Sequence, residues 1–109
     1  MNNVILPMML IFLAFLFSTA NAAEGHSSGK ITTVLLYEGH TGVLVRQEGM
    51  SDLGGCGRAD YYILDEQHPH FKEIYSLILS AHILSQPLWI QLNGCFQGIS
   101  RIKHVSSSK

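Results

Sequence analysis

The sequence has few charges of either sign, and no stretch of the chain concentrates positive charge. Seven of its residues are Lys or Arg and eight are Asp or Glu, so the formal net charge is −1. Proteins that bind nucleic acid neutralise phosphates with clustered Lys and Arg. Because no such cluster is present, we do not expect nucleic acid to be a partner.

The sequence also lacks an apolar run long enough to span a bilayer. The run over residues 4–17 is shorter than the roughly 20 residues that a spanning helix needs, but it fits the apolar core of a signal peptide. Ala20 and Ala22 supply the small residues that precede a cleavage site. We predict cleavage after Ala22, export to the periplasm or beyond the cell, and no membrane span after cleavage. The alternative is an uncleaved anchor.

Cysteine is scarce, and both copies, Cys56 and Cys95, follow the predicted cleavage site. An even count in an exported chain predicts a disulfide, because the compartments outside the cytosol are oxidising. A bridge closing a loop of about 40 residues would contribute roughly 4 kcal/mol on the chain-entropy model. Neither cysteine has a neighbouring ligand at a metal-site spacing, so the sequence favours the bridge over a metal pair.

The remaining pattern predicts five strands and one helix. β-Branched, aromatic or alternating apolar residues indicate the strands, and apolar residues three and four apart from Phe71 to Leu84 indicate the helix. His68 is the predicted N-cap, Pro69 lies in the first turn, and Pro87 ends the helix. Asn93, Gly94 and Cys95 form a turn signal. The predicted strands cover residues 30–37, 43–47, 60–64, 88–92 and 99–105.

This order, three strands, a helix and two strands, is that of a mostly β, five-stranded OB-like Greek-key barrel. An α+β open sheet with one packed helix is the alternative. The predicted organisation is a signal peptide (1–22), a flexible leader (23–29), a single domain (30–105) and a tail (106–109).

Two resemblances accompany this pattern. The segment 56–64, the helix start at 68–77, Gly94-Cys95 and the closing strand at 102–105 resemble a family of small exported proteobacterial proteins of unknown function. The passage from Tyr75 through the helix to residues 86–90 is similar to the B subunits of subtilase-type and typhoid-type AB5 toxins. This second resemblance implies an exported OB barrel that assembles as a ring and binds glycan, but it assigns no sugar-contact residue in this chain.

Six histidines invite a metal site, but their spacing fits none, so we predict neither a metal nor a cofactor. Without a nucleophile elbow, an activated cysteine or a carboxylate pair at a helical spacing, we predict no enzyme.

Aromatic residues are the better candidates for recognition. Tyr61 and Tyr62 are adjacent on a strand and should point to opposite faces, and Trp89 should face outward if Leu88 and Ile90 face inward. An exposed Trp can stack on a sugar ring or anchor a protein partner.

The predicted function is a non-enzymatic exported binding module for glycan or protein. The alternative is a monomeric periplasmic envelope or inhibitor protein that docks on a single protein partner.

Overall fold

A computed structural model describes residues 24–108, and the predicted signal peptide lies outside the described residues. Within this range the chain forms five strands and one helix in the predicted order. Their bounds are β1 (Gly25–Leu35), β2 (Gly42–Gln47), β3 (Tyr62–Asp65), α1 (Phe71–Leu84), β4 (Pro87–Phe96) and β5 (Ile99–Ser106). The prediction of a mostly β protein with one helix is confirmed.

The five strands pair in a closed ring in the order β1-β2-β3-β5-β4. β1 closes the ring because it pairs with β2 at Val34↔Val45 and with β4 at Ser28↔Trp89. All pairs are antiparallel except β3 with β5, which is parallel and has Tyr62 opposite Ser100. This connectivity is the OB-like arrangement predicted from the sequence. The alternative of an open sheet is wrong, because each of the five strands pairs with two neighbours and none is an edge strand.

The main core fills the inside of the ring and is covered by one face of α1. Alternate residues of each strand point inward, as the period of a strand requires. Ile74, Ile78 and Ala81 of α1 pack against these inward side chains, so the helix covers one end of the ring. The helix ends at Leu84, with Ser85 in the left-handed conformation as its C-cap. Neither α1 nor any other helix in residues 24–108 is long and apolar enough to cross a membrane.

A second, smaller core lies on the outside of β2, β3 and β5. Leu44, Ile63 and Ile99 alternate with inward residues and therefore point outward, yet they are at most 3% exposed. Partly buried side chains of Leu35, Tyr61 and Phe96 pack over them. We call this surface the covered face.

The long connection between β2 and β3 is held in place by the predicted disulfide, which is confirmed. Cys56 is bonded to Cys95 with their Cα atoms 5.9 Å apart. The carboxylate of Asp52 accepts hydrogen bonds from the backbone N–H groups of Cys56 and Gly57, at 3.0 and 2.9 Å. Leu53 of the same connection packs against the main core. The bridge therefore joins an irregular segment to the end of β4.

The predicted flexible leader is wrong where the structure describes it, because β1 begins at Gly25. From Gly25 to Lys30 the strand pairs with β4. This pairing rests on backbone hydrogen bonds between the neighbouring strands and needs no apolar side-chain pattern. The composition of residues 23–29 therefore did not indicate a strand. At its other end β1 stops at Leu35, and Leu36 and Tyr37 are exposed.

The turn predicted at Asn93-Gly94-Cys95 is also wrong, because these residues lie inside β4. Gly94 has a φ of 76°, and the register between β4 and β5 shifts between Leu92 and Cys95. The left-handed glycine therefore produces an irregularity within the strand rather than its end. The reversal between β4 and β5 falls at Gln97 and Gly98, both with positive φ.

The predicted start of the helix is wrong by two residues. The N-cap is His70 rather than His68, no side chain caps it, and Pro69 precedes the helix. The ring of His68 is engaged elsewhere, since its Nε2 lies 2.9 Å from the carbonyl oxygen of Lys103 in β5.

Candidate functional site

Six outward side chains of β1, β4 and β5 form two rows across three neighbouring strands. Because paired residues on adjacent strands point to the same face, the register places these side chains together. One row is Ser28, Trp89 and Ser106, and the other is His26, Gln91 and His104. We call these six residues the Trp89 face.

Trp89 is the apolar centre of this face. Its neighbours Leu88 and Ile90 are 1% and 0% exposed and point into the core, so Trp89 points outward and is half-buried. The ring of His26 stacks against the indole, with centroids 5.6 Å apart and planes 30° apart. The predicted outward orientation of Trp89 is confirmed.

The rest of the Trp89 face carries hydrogen-bonding groups and no permanent charge. Ser28, His104 and Ser106 are exposed, and Gln91 is half-buried. Two hydroxyls, two imidazoles and one amide therefore surround the indole and offer both donors and acceptors. At the border, the Lys103 ammonium donates to the Glu24 carboxylate at 3.0 Å. This chemistry suits an uncharged ligand with an apolar face and many hydroxyls.

Tyr62 lies inside the ring and is 1% exposed. Its phenolic oxygen is 2.9 Å from the hydroxyl of Ser27, which donates to the side-chain oxygen of Gln47. The amide nitrogen of Gln47 donates to the carbonyl oxygens of Gly29 and Leu88, at 3.1 and 2.9 Å. These bonds satisfy the buried amide, as burial of a polar group requires. Tyr62 therefore serves the core and presents no surface to a ligand.

Tyr61 lies on the covered face, away from Trp89. Its ring packs over the second core, and the guanidinium of Arg46 lies 4.7 Å from the ring centroid. As predicted, Tyr61 and Tyr62 point to opposite faces. The structure does not bring Tyr61 and Trp89 together, since Tyr61 adjoins β2 whereas Trp89 lies between β1 and β5.

The surface that OB folds commonly use for ligands is covered by the protein's own side chains. That surface is the outside of β2 and β3, flanked by the β1–β2 and β4–β5 loops. Here the two loops are joined, because Thr41 N–H donates to the Gln97 side chain at 3.0 Å and Gln97 donates back to the Thr41 hydroxyl at 3.1 Å. Between them the covered face is closed by the protein's own side chains.

The histidines do not gather into a metal centre in the described range, where no three His, Cys, Asp or Glu side chains are placed to hold an ion. His82 is used structurally, since its Nδ1 lies 2.8 Å from the carbonyl oxygen of Ile31 and links α1 to β1. His26 and His104 instead belong to the Trp89 face.

No family model matches this chain, and no curated protein or solved structure matches it. Sequence reasoning found Trp89 but missed its five companions. Two of them, His26 and Ser28, lie in the segment interpreted as a leader, where no apolar alternation indicates a strand. The signal for the others was their equal spacing along the last two strands.

Proposed function

We propose that this protein is a non-enzymatic binding module that recognises glycan through the Trp89 face. The observation that carries the proposal is the outward, half-buried indole of Trp89 at the centre of two rows of uncharged hydrogen-bonding side chains. A pyranose ring has an apolar face of C–H groups that stacks on an indole, and an edge of hydroxyls that bonds to nearby polar groups.

The location of the Trp89 face supports this proposal. The face rests on three paired strands rather than on loops, so its side chains are held by the sheet beneath them. Trp89 is anchored by buried neighbours on both sides along β4. A rigid aromatic side chain loses little conformational freedom on binding. Export through the predicted signal peptide would bring such a module to extracellular or periplasmic glycans.

The test is a glycan array followed by a fluorescence titration of any glycan that binds. Trp89 is the single tryptophan, so its emission reports on the site directly. Trp89→Ala should weaken binding by about tenfold or more, whereas Trp89→Phe should retain part of it because a ring remains. Tyr37→Ala is the matched control, because Tyr37 is an aromatic residue that is 49% exposed in the β1–β2 loop, away from the Trp89 face.

An array without a bound glycan, or binding that is equal in Trp89→Ala and the parent protein, would refute the proposal. Circular dichroism of the variants separates loss of the site from loss of the fold. Assembly as a ring, implied by the resemblance to toxin B subunits, is tested separately by light scattering, where a monomeric mass argues against it.

One feature favours the alternative function of docking on a single protein partner. Ile83 and Leu84 are 78% and 65% exposed at the end of α1. Leu84 also borders an apolar groove of about 330 Å³ that includes Leu77 and Pro87. If crosslinking in the periplasm recovers a stable protein partner that Ile83→Ser releases and Trp89→Ala retains, this alternative replaces the glycan proposal.

A further inference from the structure

A polar pocket lies farther along the outer surface of β4 and β5. Its volume is about 270 Å³, and Asn93, Arg101 and Lys103 line it together with residues of the connection between β3 and α1. Asn93 follows Trp89 by four residues, which is about 13 Å along a strand. The pocket shares none of the six residues of the Trp89 face and adjoins that face at Lys103.

The irregularity in β4 lies beside the guanidinium of Arg101. At Gly94 the strand adopts a positive φ, and a Cβ added there would lie 3.8 Å from Nη2 of Arg101. The guanidinium therefore lies beside a stretch of backbone that has no side chain. Asn93, the first residue of the motif that resembled a turn in the sequence, lines the pocket.

His68 fixes the opposite wall. Its Nδ1 accepts the backbone N–H of His70 at 2.9 Å, so its Nε2 carries the hydrogen and donates to the Lys103 carbonyl oxygen at 2.9 Å. These two bonds tie the connection before α1 to β5. The pocket is thus bounded by segments held to the sheet.

The N–H groups of the Arg101 guanidinium have no hydrogen-bond acceptor among residues 24–108. Its nearest carboxylate oxygen is Oδ2 of Asp65, which lies 3.8 Å from Nη1, beyond hydrogen-bond distance. The other oxygen of Asp65 accepts the backbone N–H of Gln67 at 2.9 Å. Within residues 24–108 the guanidinium donates no hydrogen bond, and the side chain is 43% exposed. The Arg58 guanidinium, by contrast, donates two bonds to Asp60, both at 2.7 Å.

Lys103 supplies a second positive charge at the pocket. Its partner Glu24 is 53% exposed, and an exposed ion pair of this kind contributes little free energy, so the ammonium can exchange partners at low cost. Among the residues that line the pocket, the two positive charges of Arg101 and Lys103 outnumber the one negative charge of Asp65. The formal charge of the pocket lining therefore favours an anion.

We propose that this pocket binds an oxyanion, with Arg101 as the principal donor. The planar fork of a guanidinium matches two oxygens of a phosphate, sulfate or carboxylate group. The side-chain amide of Asn93 provides a further neutral donor, and Lys103 provides charge. This site is independent of glycan binding at Trp89.

The test is an NMR titration of the ¹⁵N-labelled, disulfide-bonded protein with inorganic phosphate, sulfate and acetate at constant ionic strength. We expect saturable shifts at the amides of Asn93, Arg101 and Lys103, with a dissociation constant on the order of 1 to 10 mM, typical of a half-exposed site. Arg101→Gln should weaken binding roughly tenfold, and Arg101→Lys, which keeps the charge but loses the fork, should weaken it by about threefold.

Arg58→Gln is the matched control, because it removes the same charge from a guanidinium that is already paired. Binding of this control within about twofold of the parent supports a specific pocket. A preference for phosphate or sulfate over acetate identifies a tetrahedral group, and the reverse identifies a carboxylate. Shifts that do not saturate with any of the three anions, or equal losses in the Arg101 and Arg58 variants, would overturn the proposal.

Discussion

The covered face and the Trp89 face are two parts of the same outer surface, built by the same alternation of strand residues. On β2, β3 and β5 the outward positions hold Leu44, Ile63 and Ile99, which are buried under the protein's own side chains. On β1, β4 and the end of β5 they include the six residues of the Trp89 face, none of which is covered by a second core. The difference shows that the outward residues decide which part of the outer surface is buried and which part stays accessible.

The disulfide lies next to the covered face in the sequence. Cys95 directly precedes Phe96, which packs over the covered face, whereas the six residues of the Trp89 face contain no cysteine. The covered face is therefore held by its packing and adjoins the covalent tether in sequence. The Trp89 face depends on strand pairing and the main core beneath it.

The largest expected effect comes from removing the tether. Cys56→Ser combined with Cys95→Ser should lower the free energy of unfolding by roughly 4 kcal/mol, because the unfolded chain regains the freedom of a loop of about 40 residues. Denaturant unfolding with and without reducing agent measures this. Under native conditions the Trp89 emission maximum should stay unchanged. A shift in that maximum would mean that the tether also supports the open face.

A smaller loss is expected from the centre of the covered face. Ile63→Ala should cost about 3 kcal/mol, since a side chain with 0% exposure leaves a cavity. Ser28→Ala on the Trp89 face is the control and should change stability by less than about 0.5 kcal/mol. Urea unfolding of both variants compares the two faces. Similar losses of unfolding free energy in the two variants would contradict the interpretation that the covered face is a second core and the Trp89 face is not.

The smallest effect is a pH dependence at the border of the covered face. The hydrogen bonds from Arg58 lower the pKa of Asp60 below its ordinary value. Such a carboxylate stabilises the fold above its ordinary pKa, and this contribution is lost as the pH falls through the lower pKa of the folded state. Because both side chains are exposed, the contribution is small.

Asp60→Asn should therefore flatten the acidic part of the stability profile slightly, as measured by unfolding between pH 7 and pH 2. Arg58→Gln should have the same effect, because it removes the cause of the shift. A profile that is steeper in either variant would show that the pair destabilises the folded state.

Local patterns in the chain were sufficient for much of this fold. The stripe from Phe71 to Leu84 predicted α1, and the alternation of Leu88, Ile90 and Leu92 predicted both a strand and the outward position of Trp89. Cys56 and Cys95 had only each other as partners. These features depend on residues close in sequence or on simple counting, so their physical causes are visible in the sequence.

Other features depended on strands that meet only in the folded chain. Gly25–Leu35 begins earlier than its composition suggests because β4 pairs with it, and Gly94 lies within a strand because β5 continues past it. The same reason explains the two candidate sites. The companions of Trp89 come from three separate strands, and Arg101 meets Asn93 and Asp65 only through the ring.

By itself the sequence determined the order of the elements in residues 24–108, the helix α1 and the orientation of Trp89, because the periodicity of apolar residues is a local property. It also determined the disulfide, because the chain has only two cysteines. Only the tertiary structure decided that the ring closes, that one outer face is buried and that the other stays open. Closure depends on backbone pairing between residues more than 50 positions apart, such as Ser28 and Trp89, which no local pattern encodes.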